Sequence, residues 1–392
     1  MSINRRYIRI ALTVWLLTVL QIWLCLVHIS LSLTQHTSSN DPYFATVDHR
    51  RLNRLRRDWT TLRPYHSLSP LAQQLYSHQH NCTLPSANFW FRNRFGLGSD
   101  LHVWSQAVCN AMQHQVRIRS IGPWIWQSRV DCATRTSDSS NKDDSFSSPM
   151  ACYFPLAEPD CSWRDSMNPS PHLTTLNLTK GRGVLINNAC RDIREERNVT
   201  VSAWRAAAME YLFSTLSLQL QIEANRQMHL VFPNGVIPTD LITVHIRWGD
   251  KEDEMKLVPM SDYIRAVVDL AKDLQQVHVY LSTTDPSAVY EFVSQSPKEW
   301  KIYIDAYFQE YYKQQLSSNR NQYNQNPSLS LKHDGKPGFM ALASLLVALE
   351  ANAFVLTTAS NWSRLLNELR QSILDPECDH CTRMIDLRPG EW

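Results

Sequence analysis

The chain has 392 residues, 43% of them hydrophobic, enough for two domains of ordinary size with sizeable cores. Its formal net charge at pH 7 is only +2, which excludes the strongly basic balance of a nucleic-acid-binding protein. Tryptophan is frequent, at 13 residues; most belong in cores, but an exposed one packs well on a sugar ring.

At the N-terminus Arg5, Arg6 and Arg9 precede an uncharged run, Ile10 to Leu33. The run exceeds the roughly 20 residues that span a bilayer and the apolar core of a usual signal peptide. The expectation is a cytoplasmic tail (1–9) and an uncleaved transmembrane signal anchor (10–33). The arginines stay cytoplasmic by the positive-inside rule, so the C-terminal bulk is luminal. The alternative, a cleaved signal, would use Ser30-Leu31-Ser32.

Of nine cysteines, Cys25 lies in this run and the other eight form an even set. An oxidising lumen would pair them. Cys152/Cys161 and Cys378/Cys381 are the natural local bridges. The rival for Cys378-Asp-His-Cys381 is half a zinc site, but no second half follows at zinc spacing. Asn81-Cys-Thr, Asn177-Leu-Thr and Asn198-Val-Thr are sequons that suit a luminal chain. Asn361-Trp-Ser is placed inside the fold.

Residues 34–77 are polar, lack a strand pattern and read as a stem. The arginines between His49 and Arg57 form a solvated helix face. Phe95-Gly-Leu-Gly-Ser-Asp-Leu-His102 follows, with a helix over Leu101–Met112 and a strand over Gln115–Ser120. Glycines before a helix let its N-terminus approach a ligand; the plainer reading is a tight turn. Thr134–Ser148 is a loop, and Ala203–Glu223 a helix.

After Pro238 the alternation is regular. Strands are expected at Leu241–Ile246, Val277–Leu281, Lys301–Ile304 and Ala353–Thr357. Helices are expected near Ser261–Leu274, Pro286–Val293, Phe339–Glu350 and Trp362–Ile373, and a loop at Lys313–Lys336. Such alternation builds βαβ units on a parallel sheet. It divides the chain into a first domain (78–237) and a second (238–392).

Polar groups gather where these strands end. His245, Arg247, Asp250, Lys251 and Glu254 follow the first. Thr283, Thr284 and Asp285 follow the second, and Thr357, Thr358, Ser360 and Arg364 the last. In a parallel sheet such ends line one crevice. An arginine fork and a lysine there suit phosphate oxygens. Asp285 can accept from a base or ribose, while Thr357, Ser360 and a helix N-terminus can donate to phosphate. Plainer readings stand beside these. Arg247–Asp250 can be an ion pair, His245 a core histidine, Asp285 a helix cap, and Glu254 a solvated carboxylate.

These residues carry a resemblance. Val244-His-Ile-Arg-Trp-Gly-Asp-Lys251 is similar to the His-x-Arg-x-x-Asp-Lys motif of the α1,6-fucosyltransferase and protein O-fucosyltransferase superfamily. Tyr280-Leu-Ser-Thr-Thr-Asp-Pro286 resembles its second motif and Phe354-Val-Leu-Thr-Thr-Ala-Ser-Asn-Trp-Ser-Arg364 its third. Phe95–His102 resembles its Gly-x-Gly-x-x-Leu-His segment, and the four occur in the family's order.

The resemblance implies an α/β, GT-B-like fold with two Rossmann-like domains. It implies transfer of fucose from GDP-β-L-fucose with inversion, no metal and no further cofactor. The acceptor would be a glycan or glycoprotein, and the enzyme a single-pass protein of the Golgi or ER membrane. By motif match, Glu254 is the catalytic base, with Arg247 and Lys251 on the diphosphate. His245, Asp250, Asp285, Thr357 and Ser360 fall on donor-site positions, with Gly96, Gly98 and His102 from the first domain. The chain departs from the pattern at Trp248, Thr284 and Ser344, the last standing where a guanine-contacting aspartate belongs. The alternatives are the same fold with another nucleotide sugar, and a non-catalytic luminal glycan-binding protein.

Overall fold

The computed structural model describes residues 65–132, 148–161, 195, 198–249, 256–311 and 326–389. Every described residue belongs to one compact unit, Leu55–Trp392. The expected anchor at 10–33 therefore lies outside the described residues. Among those described, no helix is long and apolar enough to cross a membrane.

The second half is built on a five-stranded parallel sheet. Its strands are β3 (Leu241–His245), β4 (His278–Ser282), β5 (Lys301–Ile304), β6 (Ala353–Leu356) and β7 (Arg383–Asp386), in the order β5-β4-β3-β6-β7. Alternate residues sort to opposite faces. Ile242, Val244, Val279, Leu281 and Val355 face one core with Tyr263, Val267 and Phe292. Leu241, Tyr280, Phe354 and Leu356 face the other. Helices Met260–Leu270 and Pro286–Gln295 cover the first face. Helices Lys336–Ala348 and Asn361–Leu369 cover the second. Because sheet and first-half elements both bury it, the described side chains of Lys336–Ala348 are apolar nearly all round.

The first half contributes a parallel pair, β1 (Ser86–Phe89) and β2 (Arg117–Ser120). Around it pack helices Pro70–Gln79, Leu97–Gln113, Val201–Leu212 and Leu218–Val231. Their apolar side chains run without a break into the core beneath the second face of the large sheet.

Several local expectations change. Residues 70–77, read as the end of the stem, belong to a helix, Pro70–Gln79, that buries Ala72, Leu75 and Gln79. The single helix expected over Ala203–Glu223 is two. They break at 213–217, where Ser214 Oγ donates to Tyr211 O (2.7 Å) and Ser217 N to Tyr153 O (3.0 Å). Hydroxyls that bond nearby backbone compete with helix continuation. β1 and β7 were not expected; β7 is too short and mixed in Arg383-Met-Ile-Asp386 to show a period. Part of the expected loop Lys313–Lys336 is a helix, Asn326–Lys332, while 312–325 lie outside the described residues.

The disulfides correct one pairing. Cys152 bonds Cys132, and Cys161 bonds Cys82, so Cys152/Cys161 is not a bridge. Proximity in sequence lost to the fold: Cys82–Cys161 spans 79 residues. Cys378–Cys381 is formed as read, and Cys109 is also disulfide-bonded.

Candidate functional site

Strand order locates the site. From β3 the chain runs outward to β4 and β5, then returns to β6 on the other side of β3. This reversal is a topological switch point, and a crevice opens beyond the carboxyl ends of the two strands that flank it. Those ends are His245 on β3 and Thr357 after β6.

His245 is buried, and its Nδ1 lies 2.6 Å from Ser363 Oγ. Burial, then the charge of Arg247, pushes its pKa down to about 3. It is therefore a neutral imidazole across the physiological range, with Nδ1 engaged by Ser363. Ser363 Oγ also receives Thr357 N at 3.1 Å. The end of β3, the end of β6 and the following helix are thus tied by one hydroxyl. Thr357 is itself fully buried, so it braces the crevice rather than opening onto it.

Arg247 is half-buried just beyond β3, with Nη1 donating to Trp248 O at 3.2 Å. Trp248 turns away, its indole donating to Val258 O and packing on the core of the first sheet face. Gly249 passes close to Asp285: a Cβ at 249 would lie 3.1 Å from Asp285 Oδ2. Asp285 Oδ1 accepts from Ser287 N (2.7 Å) and Ala288 N (3.3 Å), so the helix-cap reading is realised. Asp250, Lys251 and Glu254 lie outside the described residues.

From the other side come two helix N-termini. Gly96 is the N-cap of Leu97–Gln113 and Ser360 that of Asn361–Leu369; neither supplies a side-chain cap bond. They meet at Gly98, where a Cβ would stand 3.3 Å from the backbone of Asn361 and Trp362. The Gly-x-Gly segment is thus no loop ahead of a helix but its first turn, with Gly98 permitting the two helices to touch. Each N-terminus carries partial positive charge.

Side chains hold this junction. His102 Nε2 is 2.8 Å from Glu368 Oε2, and its Nδ1 is 2.9 Å from Asn361 Oδ1. Asn361 Nδ2 donates to Ser99 Oγ at 2.7 Å. Arg364 donates to Asn361 Oδ1 and to Thr358 O, both at 2.8 Å. Thr358 is held by the Asp386 carboxylate at the end of β7 through its amide and hydroxyl. Burial, then the nearby Arg205 charge, lowers the Arg364 pKa to about 10. The charges of Arg205 and Arg364 are met here by the carboxylates of Glu368 and Asp386, so the junction adds the partial positive charge of two helix N-termini to a largely balanced set of ions.

The structure so brings together Gly98, His102, Ser360, Thr357, His245 and Arg247. His102 has both ring nitrogens engaged by protein, and serves as a tie between the two halves. Ser344 lies toward the carboxyl ends of β4 and β5, where Asp305 also accepts from Ser282 Oγ at 3.1 Å. It is buried under β4 and β5, donating to the buried Asp305 and lying 2.8 Å from Gln227 Oε1. The reading of sequence missed Ser363, Asn361, Glu368 and Asp386. Asn361, Arg364 and Glu368 recur at 3 and 4 on one helical face, a polar stripe that could have shown the first and third.

Asp100, in the first turn of Leu97–Gln113, was also missed. It is buried, with Trp124 Nε1 donating to Oδ2 at 3.0 Å. Burial pushes its pKa up to about 7. Unfolded, the carboxyl ionises near pH 4, so between about 4 and 7 the unfolded state releases the proton first. Stability from this group is complete below 4 and lost as pH rises through 7. Asp100→Asn is expected to exceed wild type at pH 8 by up to about 4 kcal/mol, with the gap closing toward pH 4. Thermal unfolding at pH 4, 6 and 8 measures it, and a gap that ignores pH would refute the assignment.

No protein-family model and no curated protein matches the sequence. Similar solved structures include NodZ α1,6-fucosyltransferase soaked with GDP-fucose, 14% identical over 73% of this chain and 92% of that one, TM-score 0.40. Fucosyltransferase NodZ from Bradyrhizobium is 12% identical over 72% and 93%, TM-score 0.39. Its selenomethionine form is 13% identical over 72% and 91%, TM-score 0.39.

Proposed function

We propose that this chain is a glycosyltransferase, an inverting fucosyltransferase that takes L-fucose from GDP-β-L-fucose to a glycan hydroxyl, an α1,6 linkage among the possibilities. One observation carries the reading. At the β3/β6 switch point the neutral His245 is tied through Ser363 to the helix Asn361–Leu369, whose uncapped N-terminus meets that of Leu97–Gln113, and Arg247 follows two residues past His245. A nucleoside diphosphate matches that arrangement in charge and in its need for many donors.

In this proposal the chain is GT-B-like, with Rossmann-like halves divided near Pro238, and needs neither metal nor further cofactor. Arg247 and Lys251 hold the diphosphate and stabilise the charge that grows on departing GDP. Glu254 takes the proton of the acceptor hydroxyl as that oxygen attacks the anomeric carbon. General-base help of this kind is worth roughly 10²–10⁴ in rate. His245 Nε2, Asp250 and Asp285 meet the nucleotide, with Ser360 at the helix N-terminus. The anchor at 10–33 keeps the enzyme in the Golgi or ER membrane, its catalytic unit luminal.

A second reading, the same chemistry with another nucleotide sugar, draws on Ser344. Buried beneath β4 and β5, it presents no carboxylate to a guanine.

The test is calorimetry with GDP, followed by transfer assays over a panel of nucleotide sugars with a glycan library, read by mass spectrometry. GDP is expected to bind and GDP-fucose to be consumed. Binding of another nucleotide in preference would favour the second reading, and failure to bind any nucleotide diphosphate would end the transferase proposal.

A further inference from the structure

Trp90 is the first residue past β1 and is 51% exposed, whereas Trp104, Trp124, Trp126 and Trp204 are each buried to 2% or less. Its position is set by Gly122, at the carboxyl end of the neighbouring strand. Gly122 has φ +76°, and a Cβ there would lie 2.5 Å from Cζ3 and 2.8 Å from Cε3 of the Trp90 ring. Only glycine meets both conditions, so the backbone is shaped to seat the indole.

The loop that Trp90 opens is held at Phe91, Asn93 and Phe95. Phe91 stacks on Trp124 with ring centroids 4.9 Å apart. Asn93 Nδ2 donates to Pro123 O at 2.8 Å, and its Oδ1 accepts from Ile125 N at 3.1 Å. Trp126 Nε1 donates to Phe95 O at 3.2 Å. The next residue, Gly96, caps the helix whose first turn touches Asn361. Trp90 therefore stands at the carboxyl edge of β1 and β2, on the segment that also forms one wall of the crevice.

A large aromatic surface fixed in place and left to water loses the stabilisation that burial would give it. Fixed before binding, it adds affinity without an ordering cost. We propose that Trp90 is a stacking platform for a sugar of the acceptor. The ligand class is a pyranoside that presents several C–H bonds on one face, as β-galactosides and β-glucosides do. The ring's apolar face covers the indole while its hydroxyls stay in water. This rests on the transferase reading, in which the donor occupies the β3/β6 side.

The test uses the purified full chain as wild type, Trp90→Ala, Trp90→Phe and Trp90→Leu, each checked by thermal unfolding. Each is applied to an array of β-galactosides, β-glucosides and their oligomers, and titrated with GDP in parallel. Trp90→Ala and Trp90→Leu are expected to lose about tenfold or more in retention. Trp90→Phe should retain part of it, and GDP affinity should be equal in all four. Equal retention by the Leu variant and wild type would overturn the platform, as would no retention of any sugar by wild type. Loss of GDP binding by wild type would instead count against the donor reading, leaving the array to decide on Trp90.

Discussion

Replacing Arg247 by alanine is expected to lower transfer by about 10²–10³-fold, the usual cost of removing a fixed donor from developing charge. GDP affinity should fall about 10–100-fold, the worth of a charge-assisted hydrogen bond. The fold should survive, because Arg247 lies beyond the end of β3 and is only half-buried. Arg247→Lys should recover only part, since lysine lacks the planar fork. Glu254→Gln should separate the two effects, losing transfer by about 10²–10⁴-fold while GDP affinity holds. Glu252→Gln and Asp253→Asn should be nearly silent. Calorimetry and steady-state kinetics on the same preparations decide. Wild-type transfer by Arg247→Ala would remove the clamp from the mechanism. If all three carboxylate variants stay active, Asp250 and Asp285, whose helix-cap bonds use Oδ1 alone, become the next candidate bases.

The second large effect is on stability. Glu368 is 2% exposed and meets the equally hidden His102 at 2.8 Å. Glu368→Ala leaves a buried imidazole nitrogen without its partner and removes a counter-charge from Arg364. A loss of about 3–5 kcal/mol is expected, the cost of breaking a buried pair from one side. Glu368→Gln, which keeps an acceptor, should lose less. The double variant His102→Ala/Glu368→Ala should lose less than the sum of the single ones, as contacting residues do. Because the tie joins the two helices at the crevice, GDP affinity should fall with stability. Urea unfolding measures the first and calorimetry the second; an unchanged urea midpoint in Glu368→Ala would sink the idea.

Sequence alone determined the skeleton of the second half. The runs read as Leu241–Ile246, Val277–Leu281, Lys301–Ile304 and Ala353–Thr357 correspond, within a residue at their carboxyl ends, to four of the five strands of the large sheet. Each is a short buried segment, and the helices between them have their own period, so local pattern suffices. The positions just past β3 and β6 were also legible from the strand ends, but not their roles: Thr357, a hydroxyl directly after a buried strand, is a buried brace. Tertiary structure decided what depends on contacts between distant segments. Gly98 reads as loop until Asn361, far along the chain, is seen against it. His102 reads as a ligand until Glu368 closes on it. Cys152 reads as the partner of its near neighbour until the fold sets it beside Cys132. Short strands such as Arg383–Asp386 exist because a neighbouring strand end pairs with them, and their own four residues carry too little pattern to announce it.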